Sequence, residues 1–265
     1  MLMVVAPDFV FVHLSKTGGS FAAATIREVL CPSAFSRKVH RLKTRDGIRM
    51  RIPFYKYQYD DVGDQHAVCN DIPKIEHGKT ILSCIRNPFD LYVSEYTYNW
   101  WKQHPHRWFH DPAAVEKAYP DWRNLRFEDF ISVSNKYAEW VYKALVKYPK
   151  AESLGWYSHK FIYYYCRDYD YVFQAADDLE ALVNRVRASM YPVHFLHTER
   201  LNRELFDFLL SKGYARNRIE FIPQKDKVNT SRPNHRYREW YSDQLRRDIE
   251  HRDALIFRLF PEFRF

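Results

Sequence analysis

The sequence predicts an α/β fold, a central and mostly parallel sheet flanked by helices, and three observations predict it. Residues 9–14 form a short apolar run that breaks into a Gly-Gly turn and gives way to apolar residues at helical spacing. A second apolar run, 79–85, ends at an Asn-Pro pair that opens another helix. From residue 170 on, strand-like stretches at 170–174 and 193–197 alternate with helix-like stretches at 177–190 and 199–212. Such alternation is what βαβ units and a parallel sheet look like in sequence. With 265 residues and 46% hydrophobic content the chain can bury the core this fold needs, and it reads as one domain over 1–265.

The first element is a strand in which Val10, Val12 and Leu14 alternate with Phe9 and Phe11, apolar on both faces as inner parallel strands are. The turn Lys16-Thr17-Gly18-Gly19-Ser20 follows, and Phe21, Ala22, Thr25, Ile26, Val29 and Leu30 then mark a helix. This arrangement is an anion cradle. The helix N-terminus offers backbone N–H groups and the positive end of a dipole. Gly18 and Gly19 allow close approach of the main chain, Lys16 adds a point charge, and the hydroxyls of Thr17 and Ser20 add donors. The lysine precedes the glycines, so the Walker pattern G-x-x-x-x-G-K-[ST] is not met.

Residues 37–56 are the most basic stretch, with eight Lys and Arg against the single acid Asp46. Asp46-Gly47 is a hairpin-turn pair, and Ile48, Met50 and Ile52 alternate beyond it, as on a ribbon with one wet face. Such a ribbon could guide an acidic substrate or be a solvated surface. His66 stands just before a strand-like pair, and a histidine titrates in the range a general base needs; a hydrogen-bonded loop histidine reads equally well. The strand 79–85 runs into Arg86. Asn87 is a good N-cap, Pro88 suits the first helical position and Asp90 the first turn, so a helix begins there, with Ser94 about two turns in. Arg86 and Ser94 can reach one phosphate if strand and helix pack side by side. Residues 99–111 are rich in Trp and His, which suits either a stacking platform for sugars or, preferably, core tryptophans beside surface histidines. Helices are expected over 127–148 and 158–166, and from Ser242 through Leu259.

The Lys-Thr-Gly-Gly-Ser turn after an apolar strand resembles the 5′-phosphosulfate loop of sulfotransferases that use 3′-phosphoadenosine 5′-phosphosulfate, PAPS. Arg86, Asn87-Pro88 and Ser94 resemble the segment that grips the 3′-phosphate in that family. The tail, Lys227 to Arg232 with Tyr237, Tyr241 and the last helix, looks like the end of the carbohydrate-sulfotransferase branch, although the Arg-Lys-Gly signature of the cytosolic small-molecule enzymes is absent. The resemblance implies a P-loop-like sulfotransferase fold, PAPS as co-substrate and no metal. It implies nucleotide contacts from Lys16, Thr17, Gly18, Gly19, Ser20, Phe21, Arg86 and Ser94, and from Ser231 and Arg232. Lys16 would stabilise the leaving group. His66 would be the base, since it resembles in position the histidine of the uronosyl 2-O-sulfotransferase branch, with Glu95 ranked lower. The acceptor would be a hydroxyl of a carbohydrate, an acidic one included, or of another small metabolite.

Net charge of +8 and a pI near 9.2 fit an anionic ligand and would also fit a nucleic-acid binder; with the motifs in view, no nucleic acid is expected. The four cysteines are widely spaced without C-x-x-C, so neither zinc nor a disulfide framework is suggested. No apolar run approaches a membrane span and no leader is read at Met1, so the expectation is a soluble, cytoplasmic protein of open oligomeric state. Two other classes stay in play: an atypical P-loop nucleotide kinase, which lacks its Walker lysine here, and a non-catalytic polyanion-binding protein built on the basic ribbon.

Overall fold

Continuous burial along Phe9–Val12 and period-3.6 burial after Gly19 organise the first of two units in the computed structural model, which describes residues 3–31, 60–62, 67–226 and 237–265. One unit comprises Met1–Ile85 with Pro192–Thr230, the other Arg86–Tyr191 with Ser231–Phe265. In chain order the strands are β1 (Met3–Val5), β2 (Phe9–Val12), β3 (Asp60–Val62), β4 (Thr80–Ile85) and β5 (Val193–His197). The longer helices are α1 (Gly19–Leu30), α2 (Pro88–Tyr98), α3 (Phe127–Tyr137), α4 (Glu139–Lys147), α5 (Trp156–Tyr165), α6 (Leu179–Ser189), α7 (Leu201–Ser211) and α8 (Asp243–Arg252). Among the described residues, no helix is long and apolar enough to cross a membrane.

The first unit holds a five-stranded sheet of order β3-β1-β2-β4-β5. β2 pairs parallel with β4 and β4 with β5, whereas β1 runs antiparallel to both β2 and β3. The sheet is therefore mixed, which corrects the expectation of a mostly parallel one. The cause is local: β1 and β2 are joined by a short turn closed by the Ala6 N–H donating to the Phe9 carbonyl at 2.9 Å, and so short a link can only reverse the chain. Val4 faces Phe11 across that pair, and Phe11 faces Leu82 across the next. Val4, Phe9, Phe11, Leu82, Cys84 and Leu196 thus share one face, and they form a single buried cluster with Phe21, Ala22, Ile26 and Val29 of α1 and Leu205, Phe208 and Leu209 of α7. Burying a phenylalanine of this kind contributes about 1.5–3 kcal/mol. Phe9 meets Phe208 edge to face at 5.2 Å.

The second unit is helical. α2 starts as its sequence foretells: the Asn87 side chain accepts from the Phe89 N–H, and Pro88 occupies the first turn. The expected helix 127–148 is two helices, because Ala138 is extended and its backbone forms a bridge with Phe109. The strand-like stretch 170–174 is instead a helical turn, Tyr169–Phe173, since the Asp168 side chain accepts from the Tyr171 N–H at 2.8 Å and caps it. The last expected helix likewise breaks, at Asp253. The strand-like pair expected after His66, Ala67-Val68, joins no strand and leads into a 3-10 turn, Cys69–Asp71, closed by the Val68 N–H donating to Asp71. All four cysteines are buried thiols.

α5 is buried nearly all round. A helix of that kind must satisfy whatever polar groups it carries, and this one carries three in a row. Ser158 donates through both its N–H and its hydroxyl to Asp253, whose other carboxylate oxygen accepts from Tyr92. His159 Nδ1 lies 3.0 Å from the Gly155 carbonyl. Lys160 is 3.7 Å from Glu95 and sits over the Trp156 ring.

Candidate functional site

At the carboxyl end of β2 the chain turns through Ser15 to Gly18 into α1. Lys16 has φ 62° and Gly18 φ 81°, so two left-handed residues flank Thr17. For a lysine that backbone conformation costs of order 1–3 kcal/mol, and such strain persists where the surroundings enforce it. Left-handed residues in a turn aim successive N–H groups toward one side, the geometry of an anion nest. Both glycines are needed for packing too. A Cβ on Gly19 would lie 1.8 Å from the His13 ring, and one on Gly18 would lie 2.5 Å from a Leu201 methyl.

The N-terminal end of α1 carries the positive end of the helix dipole with nothing of its own to offset it. Gly18 caps it without a side chain, and its first turn carries no acid. Lys16, Gly18 and Ser20 are partly exposed, while Gly19 and Phe21 are buried, so those two could serve an anion only through their amides. Thr17 departs from its expected part as a hydroxyl donor: it is fully buried, and its Oγ1 donates to the Leu14 carbonyl at 2.8 Å. It closes the turn and leaves the Thr17 N–H as its contribution.

The position of this turn in the sheet matters. The chain leaving β2 next enters the sheet at β3, on the β1 side, whereas the chain leaving β4 next enters at β5, on the other. Adjacent parallel strands whose connections diverge leave a crevice at their carboxyl ends, where α/β proteins take ligands. Thr198, just past β5, ties that crevice together. Its Oγ1 lies 2.8 Å from the Thr17 carbonyl and 2.9 Å from the Ile85 carbonyl, at the end of β4. Sequence reading missed this residue, since only the fold brings position 198 to position 17. Beside it, Glu204 is held below the usual carboxylate range: burial opposes this, and the His197 N–H with Arg200 and His197 side chains outweigh it.

Compared with known proteins, the chain matches no family model, no curated protein and no solved structure.

The remaining predicted residues fall in the helical unit or outside the described residues. Arg86, directly before α2, donates through Nε to Asp90 at 2.7 Å, and both side chains are largely buried. Asp90 and Ser94, four residues apart, share one side of α2, and Arg86 reaches Asp90 from just outside the helix. Ser94 is half-buried. Glu95 is buried against Lys160, whose charge is disfavoured by burial and favoured by Glu95. A carboxylate so enclosed is spoken for by its lysine and is poorly placed as a base. His66, Ser231, Arg232 and the basic ribbon of 37–56 lie outside the described residues. Among the described residues, no group of three or more His, Cys, Asp or Glu could hold a metal ion.

Proposed function

We propose that this chain is a PAPS-dependent sulfotransferase, moving a sulfuryl group to a hydroxyl of a carbohydrate or another small acceptor. The observation that carries the reading is the strained Lys16-Thr17-Gly18 turn opening an uncapped helix at the carboxyl end of β2. A phosphosulfate there meets backbone N–H groups already aimed at it and a lysine adjacent to them. In the reaction the acceptor oxygen attacks sulfur in line, the bridging S–O bond breaks, and adenosine 3′,5′-bisphosphate leaves with the electron pair. Charge builds on the bridging oxygen, so Lys16 and the turn amides act most strongly in the transition state. By resemblance, Arg86 and Ser94 belong to the 3′-phosphate, Ser231 and Arg232 to the nucleotide, and His66 to the acceptor's proton.

Transfer of labelled sulfate from PAPS into glycans, lipids and phenols, with chelator present, tests the reading. Lys16→Ala is expected to lower turnover by a hundredfold or more while weakening adenosine bisphosphate binding by less than tenfold, because ground-state binding uses the amides as well. Turnover within a few-fold of wild type would remove Lys16 from the reaction. Phosphoryl transfer from ATP with Mg²⁺ and none from PAPS would favour the kinase instead.

A further inference from the structure

The helical unit carries a feature that the nucleotide chemistry does not use. α2 ends at Asn99, whose backbone is left-handed at φ 59°, and a new helical turn begins at once with Trp100. That reversal sorts four aromatic residues. Trp101 turns inward, 2% exposed, stacked on Tyr96 at 6.1 Å and packed on Phe130 at 5.3 Å. Tyr98 is exposed and Trp100 half-buried, their rings 6.5 Å apart and within 15° of parallel. Tyr98 is 50% exposed. The His104 ring lies 3.8 Å from that of Trp100, and His106 follows at 6.4 Å from His104. Lys102, His106 and Arg107 are exposed, and the sequence from residue 96 to 110 contains no Asp or Glu.

We infer that Tyr98 and Trp100, rimmed by Lys102, His104, His106 and Arg107, form a binding surface for an acidic oligosaccharide. The exposed Tyr98 ring beside the half-buried Trp100 keeps apolar ring surface within reach of a ligand. A pyranose ring presents a flat array of polarised C–H groups to such a face, and the negative π surface attracts them. Neutral sugar would be served by the rings alone. The cations beside them select a saccharide bearing carboxylate or sulfate, and the absence of acids in the same stretch removes the repulsion such a ligand would meet. That this saccharide is the acceptor rests on the sulfotransferase reading; that it binds here rests on these residues.

Calorimetric titration of the full chain with a size-defined chondroitin sulfate hexasaccharide, a neutral hexasaccharide of similar length and a thymidine oligonucleotide tests the inference. The sulfated sugar should bind, and Tyr98→Ala and Trp100→Ala should each weaken it about tenfold or more. Tyr98 is exposed enough that its variant should melt as wild type does. Lys102→Ala with Arg107→Ala should weaken binding and flatten its salt dependence, with the neutral sugar indifferent to either change. Unchanged affinity in the ring variants would overturn the inference, and so would tighter binding of the oligonucleotide through the same residues. Adenosine bisphosphate is titrated in parallel. Nucleotide binding with no saccharide effect at Tyr98 or Trp100 would sink this surface alone, and saccharide binding lost in those variants with no nucleotide binding would sink the sulfotransferase reading alone.

Discussion

Gly19 is the residue at which the turn has the least freedom. Its missing Cβ leaves room for the buried His13 ring, and even a methyl group would require that ring to move. Gly18 is under a different constraint, a left-handed backbone with a flexible Leu201 methyl opposite, so it can yield by a rotamer change. Gly19→Ala is therefore expected to cost about 1–3 kcal/mol of stability, as overpacking does, and to lose bisphosphate binding out of proportion to its melting point. Calorimetric melting together with titration checks this; a variant that melts and binds as wild type would show that the His13 ring does not fix the turn. Thr17 and Thr198 show what single residues hide from sequence reading. Thr17 looks like a ligand because it lies in the turn, yet its hydroxyl is committed to Leu14. Thr198 looks like any helix-start threonine, and its bond to the Thr17 carbonyl exists only after β5 has joined the sheet.

Among the elements, α5 joins two opposed titrations: His159 lies on it, and Asp253, at the end of α8, accepts from its Ser158. Burial, against the hydrogen bonds from Ser158 and Tyr92, lifts Asp253 from 3.8 to about 6. Its contribution to stability is full below pH 3.8 and is lost as pH rises through about 6. Burial lowers His159 from 6.5 to about 4, with the Gly155 carbonyl pulling the other way. That contribution is full above pH 6.5 and is lost as pH falls through about 4. Each is on the order of 3 kcal/mol by linkage, and between pH 4 and 6 they slope in opposite directions. Relative to wild type, His159→Leu should make stability fall with rising pH across that window, and Asp253→Asn should make it rise. Urea melts at pH 4, 5 and 6 decide it: slopes of the same sign in both variants would mean that this pair does not set the pH response. The element scale is also where legibility divides. β2, α1, β4 and α2 could be read because the unbroken apolar runs of the strands and the helical spacing and caps of the helices are written within the segments themselves. The breaks at Ala138 and Asp253 could not, since Phe109 recruits the one and Tyr92 with Ser158 the other, all distant in sequence. The mixed sheet was missed because β1 is three residues long, too short to show a period.

For the whole molecule, net charge of +8 draws any polyanion, so the sulfotransferase reading needs an effect that charge alone does not produce. Site binding at a hundredfold excess over Kd stabilises the native state by about 2.7 kcal/mol, and for a chain of this size about 1 kcal/mol corresponds to roughly 2–4 °C. Adenosine 3′,5′-bisphosphate at that excess, without metal, should thus raise the melting temperature by about 5–10 °C. Screening distinguishes the sources of such a shift: at physiological salt exposed charges more than about 8 Å apart are largely screened from each other, whereas a phosphate seated on turn amides keeps its hydrogen bonds. The shift should therefore persist from low to physiological salt, and Arg86→Ala should reduce it more than Ser94→Ala, because a charge-assisted bond is the stronger of the two. Heparin at equal charge concentration should give a shift that fades as salt rises. A bisphosphate effect that fades in parallel with heparin's, or that survives Arg86→Ala undiminished, would return the molecule to the class of polyanion binders or move the 3′-phosphate to other residues.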